Sequence, residues 1–312
     1  MIVDTLTGKV QGLEKRGVHQ FRGIPYARAD RFRPPGSAEP WAGVREATTF
    51  GPIAPQNPSA TESFLGARER PSSEDCLYLN VFTPGPGDPV RPVMVWIHGG
   101  GFTAGSSDVV WYDGSTLART GDVVVVTINY RLGALGFLHL DHLDPAFAGS
   151  GANGLRDQIA ALAWVRDNIA GFGGDPGRVT IFGESAGGMS VGTLLGSPAA
   201  AGLFHRAIAQ SGAAAHVHAP ATAERVIDAF IGALDVSRDG ALDALLAAPV
   251  TDLLRAQAAV DAPLTYLPRD VRVLFSREWA ERLCKVREIE GETLPSIVVG
   301  QDTRRSGDMF VA

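Results

Sequence analysis

The chain has 312 residues, 45% of them hydrophobic, and carries a formal net charge of -6 at pH 7. That composition excludes a disordered chain, and the lack of any basic excess excludes a phosphate-neutralising, nucleic-acid-binding surface. The start, Met1-Ile2-Val3-Asp4-Thr5, has neither the basic residues nor the apolar stretch of a secretory signal, and no apolar run reaches the roughly 18 residues of a membrane helix. The expectation is a cytosolic protein with no membrane partner. Two cysteines, Cys76 and Cys284, make neither a disulfide framework nor a four-ligand zinc site.

In chain order, "GKVQGL" and "VHQFRGIPYA" read as a small antiparallel hairpin across the turn-like cluster Glu14-Lys15-Arg16-Gly17. The proline-rich stretch from Arg33 to Pro58 reads as loop. Short apolar runs then follow: "LYLNVFTP", Val93–Ile97, "DVVVVTINY", "RVTIF", "RAIAQSG" and "SIVVG", each ending in turn residues, as buried strands do. Between them, Asn153 to Ala170 places Leu155, Ile159, Leu162, Val165 and Ile169 at helical spacing, which predicts one buried stripe. Strand, helix, strand at this rhythm implies a mostly parallel sheet covered on both faces, an α/β fold. The alanine-rich span predicts helices at Ala221–Leu234 and Leu242–Val260, a side excursion over residues 213–294 rather than a second core.

Two motifs carry chemistry. The pentapeptide Gly183-Glu184-Ser185-Ala186-Gly187 directly follows a predicted strand and opens a predicted helix. In that setting a strained turn lifts the serine oxygen above the sheet, and the flanking glycines avoid Cβ collisions with the strand and helix. Ser185 is the candidate nucleophile. The second motif, "WIHGGGF" (Trp96 to Phe102), follows another apolar strand and supplies consecutive glycines whose N–H groups can face a ligand. A preorganised donor at a developing oxyanion contributes about 2.7–4 kcal/mol when judged by removal. The N–H groups of Gly100, Gly101 and Ala186 are assigned to such a hole. The alternative for three glycines is a phosphate cradle, but no Lys-Ser/Thr follows them. His98, at the strand's end, is expected to fix the loop by hydrogen bonds.

With these motifs in place, the chain resembles the type-B carboxylesterases of the α/β-hydrolase fold. The matching text is "FRGIPYA", "EDCLYLNVFTP", "WIHGGGF", "NYRLGALGFL", "NGLRDQIAALAWVRDNIAGFGGDPGRVTIFGESAGG" and "LFHRAIAQSG". The resemblance implies one hydrolase domain over residues 1–312, a small-molecule ester substrate and no cofactor. Chemistry would proceed through an acyl-enzyme on Ser185. In secreted relatives Cys76 would pair with an upstream cysteine; none exists here, which suits a reducing compartment.

The chain also departs from the family pattern. After "SIVVG" the triad acid is expected in a segment usually reading T-R-D-E-G. This chain has Thr303-Arg304-Arg305-Ser306-Gly307, so Ser306 stands where the carboxylate belongs, with Asp302 and Asp308 nearby. Ser211 would by analogy support that acid. The family's histidine lies beyond the acid, past Ala312, so the reading is an N-terminal portion whose last strand and helices are missing. His216 and His218 are the only stand-ins at the carboxyl end of the sheet. "SIVVG" would then be an open apolar edge that invites association. The rival reading is a non-catalytic binding relic on the same fold.

Overall fold

The computed structural model describes residues 1–59, 70–87, 90–214, 217–264 and 296–300. At the amino end β1 (Ile2–Thr5) folds back antiparallel on β2 (Gly8–Gln11), burying Val3 and Val10. "GKVQGL" is therefore not one strand of the expected hairpin. Only β3 (Leu13–Lys15) pairs with β4 (Val18–Pro25), across Arg16 and Gly17. Both turn residues have positive φ, 54° and 75°, as a two-residue turn matched to strand twist requires. Inside and beside the proline-rich stretch lie three short strands, β5 (Ala27–Arg28), β6 (Gly36–Ser37) and β7 (Val44–Glu46), the last parallel to β2.

The remaining strands are β8 (Tyr78–Thr83), β9 (Arg91–Ile97), β10 (Val124–Ile128), β11 (Gly174–Glu184), β12 (Arg206–Gln210) and β13 (Ser296–Gly300). They join β3 and β4 in an eight-stranded sheet of order β13-β12-β11-β9-β10-β8-β4-β3. From β13 to β10 the neighbours run parallel, and from β10 onward antiparallel. Among the described residues β13 is an edge.

The helices are α1 (Ser115–Gly121), α2 (Gly133–Phe137), α3 (Asn153–Asn168), α4 (Ala186–Leu195), α5 (Pro220–Ala233), α6 (Ala241–Ala247) and α7 (Val250–Leu264). Every residue of β10 is buried because both faces of the sheet are covered. Val124 and Val126 point into the cluster holding Leu162 and Val165 of α3, while Val125 points the other way, against Ala118 of α1.

Two helical expectations change. In the first half of α3 the buried side is polar: Asn153, Asp157 and Gln158 are enclosed, whereas Leu155 and Ile159 are half-buried. The span Leu242–Val260 is two helices, because Pro249 has no N–H to donate and its ring forbids a continuous turn. The excursion also builds a satellite core. Ile227, Phe230, Leu245 and Leu253 pack with Phe32, Leu135, Leu138 and Phe147 in a cluster separate from the main one.

Candidate active site

Ser185 stands between β11 and α4 with φ 54° and ψ -121°. A side-chain-bearing residue holds that conformation at a cost on the order of 1–3 kcal/mol, met by its surroundings. Its N–H donates to the Gln210 carbonyl at 2.9 Å, and its own carbonyl accepts from Met189 N–H at 2.9 Å, fixing the turn between β12 and α4. Ser185 is half-buried, whereas Ala186 and Gly187 after it are enclosed.

The glycines around it are there because backbone passes where a Cβ would sit. A Cβ on Gly187 would lie 2.0 Å from the Ile97 carbonyl oxygen, one on Gly183 2.6 Å from the same oxygen, and one on Gly212 2.4 Å from the Ser185 carbonyl oxygen. Gly187→Ala is expected to cost about 1–3 kcal/mol or more through forced backbone shifts. Gly232→Ala, inside α5 with nothing within 4 Å of the new methyl, is expected to stabilise by up to about 1 kcal/mol. Thermal midpoints of the two variants check both signs.

The glycine loop leaves β9 beside this turn. A Cβ on Gly99 would approach Ser185 Cβ to 3.3 Å, so the loop backs directly onto the serine. Gly100, Gly101 and Phe102 all have positive φ, 104°, 62° and 62°. The Gly100 carbonyl accepts from the N–H groups of Thr103 and Ala104, closing the loop, and the Phe102 carbonyl accepts from Gly133 N–H at 2.7 Å. Among the described residues no protein acceptor engages the N–H groups of Gly100 or Gly101. Ala186 N–H is the first of α4, which has no partner within the helix and lies at the positive end of its dipole.

His98 is buried, and its Nδ1–H donates to the Gly99 carbonyl at 2.8 Å. Its ring stacks on Tyr130 at 4.4 Å, and the Tyr130 hydroxyl donates to the His98 carbonyl at 2.8 Å. Burial pushes its pKa down to about 4. A neutral imidazole holding its own loop is the geometry expected of it. Among the other histidines, His205 Nδ1 accepts from Val179 N–H, and His139 pairs with Asp141. His218 is exposed.

His216, Asp302, Ser306 and Asp308 lie outside the described residues. Ser211 is in a left-handed conformation with φ 50°, just before Gly212. Sequence reasoning missed Glu184 as a perturbed group: burial beside Gly99 raises its carboxyl pKa. A charged residue inside the glycine turn was the available signal. Among the described residues no helix is long and apolar enough to cross a membrane, and no cluster of three or more His, Cys, Asp or Glu could hold a metal.

Comparison with known proteins meets this geometry. Para-nitrobenzyl esterase of Bacillus subtilis is 49% identical over 259 residues, 82% of this chain and 52% of its own length. The cocaine esterase of Oryctolagus cuniculus is 48% identical over 228 residues, 67% of this chain and 42% of its own length. Among solved structures, a thermophilic pNB esterase superposes with a TM-score of 0.80 at 46% identity, covering 86% of this chain and 55% of the other. A Geobacillus stearothermophilus carboxylesterase gives 0.82 at 44% identity, covering 96% and 61%. The chain thus spans about half the length of the curated relatives it matches. The sequence profile described as the carboxylesterase family matches residues 1–269. A match of that extent, over a sheet and a serine turn of this form, makes the chain a member of the carboxylesterase family.

Proposed function

We propose that this chain carries the nucleophile and the oxyanion hole of a carboxylic-ester hydrolase that works through a serine acyl-enzyme. The observation that carries this reading is Ser185 in its left-handed turn, half-open to solvent, with the glycine loop packed against its Cβ. The hydroxyl attacks the ester carbonyl, and the N–H groups of Gly100, Gly101 and Ala186 receive the negative charge that builds on the oxygen. Alcohol leaves, and water cleaves the acyl-enzyme by the same route. Residues 1–312 form one hydrolase domain in this reading, with 213–294 as an excursion within it. In this reading the general base and its acid belong to the part of the relatives' length that these 312 residues do not match.

The test is complementation. The chain is completed with the remaining portion of the Bacillus subtilis relative and assayed on p-nitrophenyl butyrate, beside Ser185→Ala. Turnover that needs Ser185 supports the reading. A completed protein that folds but shows no turnover overturns it and favours the binding relic, and turnover that survives Ser185→Ala overturns it by placing the chemistry on another residue.

Cys76 is buried and free, and burial raises its thiol pKa and keeps it inert; the cytoplasmic setting rests on the sequence reading alone. Among the described residues β13 ends the sheet, which supports self-association, because a sheet edge offers open N–H and C=O groups. The 312-residue chain is expected to show a mass above 32.9 kDa in light scattering, rising with concentration. A constant monomer mass counts against this.

A further inference from the structure

The candidate hole has a support that comes from the helical excursion. Gln257 of α7 is buried with 6% of its surface exposed. Its Oε1 accepts from Ala134 N–H at 3.0 Å, at the start of α2. One residue earlier, Gly133 N–H donates to the Phe102 carbonyl at 2.7 Å, and Phe137 of the same helix meets the Phe102 ring edge-on at 5.1 Å. Phe102 directly follows Gly100 and Gly101. Gly133 has φ +53°, and a Cβ there would lie 2.0 Å from Gln257 Oε1, so the approach of the amide requires glycine.

Asp261, one turn along α7, faces the Gln257 amide, which opposes the rise that burial gives its carboxyl pKa. The helix itself is anchored to the core. Asn57 Nδ2 donates to the Leu254 carbonyl at 2.9 Å, and Arg31, paired with Glu74, donates to the carbonyls of Leu245, Leu246 and Ala248 at the end of α6. An unbroken path of hydrogen bonds and ring packing therefore runs from the excursion through α2 to the residue that ends the glycine loop.

We propose that Gln257 is a positioning residue for the oxyanion loop: by holding the N-terminus of α2 it sets where the Phe102 carbonyl sits and so how the N–H groups of Gly100 and Gly101 are aimed. The inference rests on the ester-hydrolase reading for its consequence, though not for its geometry. A loop with three consecutive positive-φ residues has no regular ladder to hold it, so its aim depends on what grips its end. Displacement of catalytic donors by about 1 Å can cost on the order of 10²-fold in rate.

The experiment is hydrogen exchange on the 312-residue chain, comparing Gln257→Leu, Gln257→Glu and Asp261→Leu with the parent. Gln257→Leu keeps the volume but loses the acceptor, and is expected to speed exchange across residues 99–104 about tenfold while β10 exchanges as before. Gln257→Glu keeps an acceptor and is expected to restore most of the protection. Asp261→Leu, one turn further along α7, gives a smaller increase in the same segment and serves if Gln257→Leu fails to fold. Slow hydrolysis of p-nitrophenyl butyrate by the same chain should lose kcat with KM unchanged in Gln257→Leu. Unchanged exchange at 99–104, a rise matched in β10, or a Gln257→Glu variant behaving like Gln257→Leu overturns the proposal. If the completed protein folds but shows no turnover that needs Ser185, the ester-hydrolase reading fails, and the exchange pattern alone decides the role of Gln257.

Discussion

In the chain completed with the remaining portion of a relative, Ser185→Ala is expected to lower kcat by about 10⁶, whereas the same substitution in the 312-residue chain alone should change little. The asymmetry follows from how a serine, its base and the acid act as one unit. In a comparable serine hydrolase, removing the nucleophile or the base alone costs about as much as removing the whole triad, and a residual of about 10³–10⁴ over water survives through the hole and binding. Among the described residues Ser185 Oγ has no histidine partner, and His98, the nearest in sequence to the loop, is committed to Gly99 and Tyr130. The isolated chain should therefore already work at the residual level, with an unactivated hydroxyl. The measurement is initial-rate hydrolysis of p-nitrophenyl butyrate by the four proteins. A large loss on Ser185→Ala in the isolated chain would mean that a base within these 312 residues activates the serine, with His216 and His218 the first to test.

The serine turn and the glycine loop were legible because their requirements are local. A strand that ends on glycine, serine and glycine has few conformations open to it, and the collisions at Gly183 and Gly187 are the ones such spacing implies. Strand identities were legible for the same reason, each apolar run being short and bounded by turn residues. Pairing was less so: Gly8–Gln11 turned toward Ile2–Thr5 because a four-residue strand finds its partner by contact, and Thr5 and Gly8 are linked through the Thr5 hydroxyl.

The buried face of α3 was misread because apolar periodicity cannot register a charge whose partner lies 26 residues earlier. Gln257 was invisible for a like reason. An isolated glutamine in an alanine-rich helix carries no pattern, and only the close approach of Gly133 gives it a task.

The charge in α3 leads to the largest stability effect expected. Arg131, 4% exposed at its side chain, and Asp157, fully buried, form a two-pronged pair at 2.8 and 2.7 Å, and Asp157 also accepts from the Arg131 backbone N–H. Arg131 Nη1 further donates to the Arg33 carbonyl at 2.6 Å, tying α3 to the loop after β5. Burial raises the Asp157 pKa, and the guanidinium opposes that rise. Arg131→Met removes the opposition and leaves a buried carboxylate, at an expected cost of about 3–5 kcal/mol at pH 7.5. The sign of its pH dependence follows. A carboxyl whose folded-state pKa lies above its unfolded value, about 3.9, regains stability as pH falls from the first value to the second, because the folded protein then takes up the proton.

The penalty of Arg131→Met should accordingly shrink on acidification through that window. Neighbouring groups do not mask this: burial holds the Cys76 thiol and the Tyr26 phenol neutral, and the contribution of His98, which runs the other way because its pKa is depressed, cancels in the difference between variant and parent. Adding Asp157→Asn to Arg131→Met removes the charge while leaving an acceptor for the backbone N–H at 131, so most of the lost stability should return and its pH dependence vanish. Urea midpoints of the parent, single and double variants at several pH values between 4 and 8 measure all three expectations. A single-variant penalty that stays constant or grows as the pH falls would show that the carboxylate of Asp157 is not what the arginine neutralises.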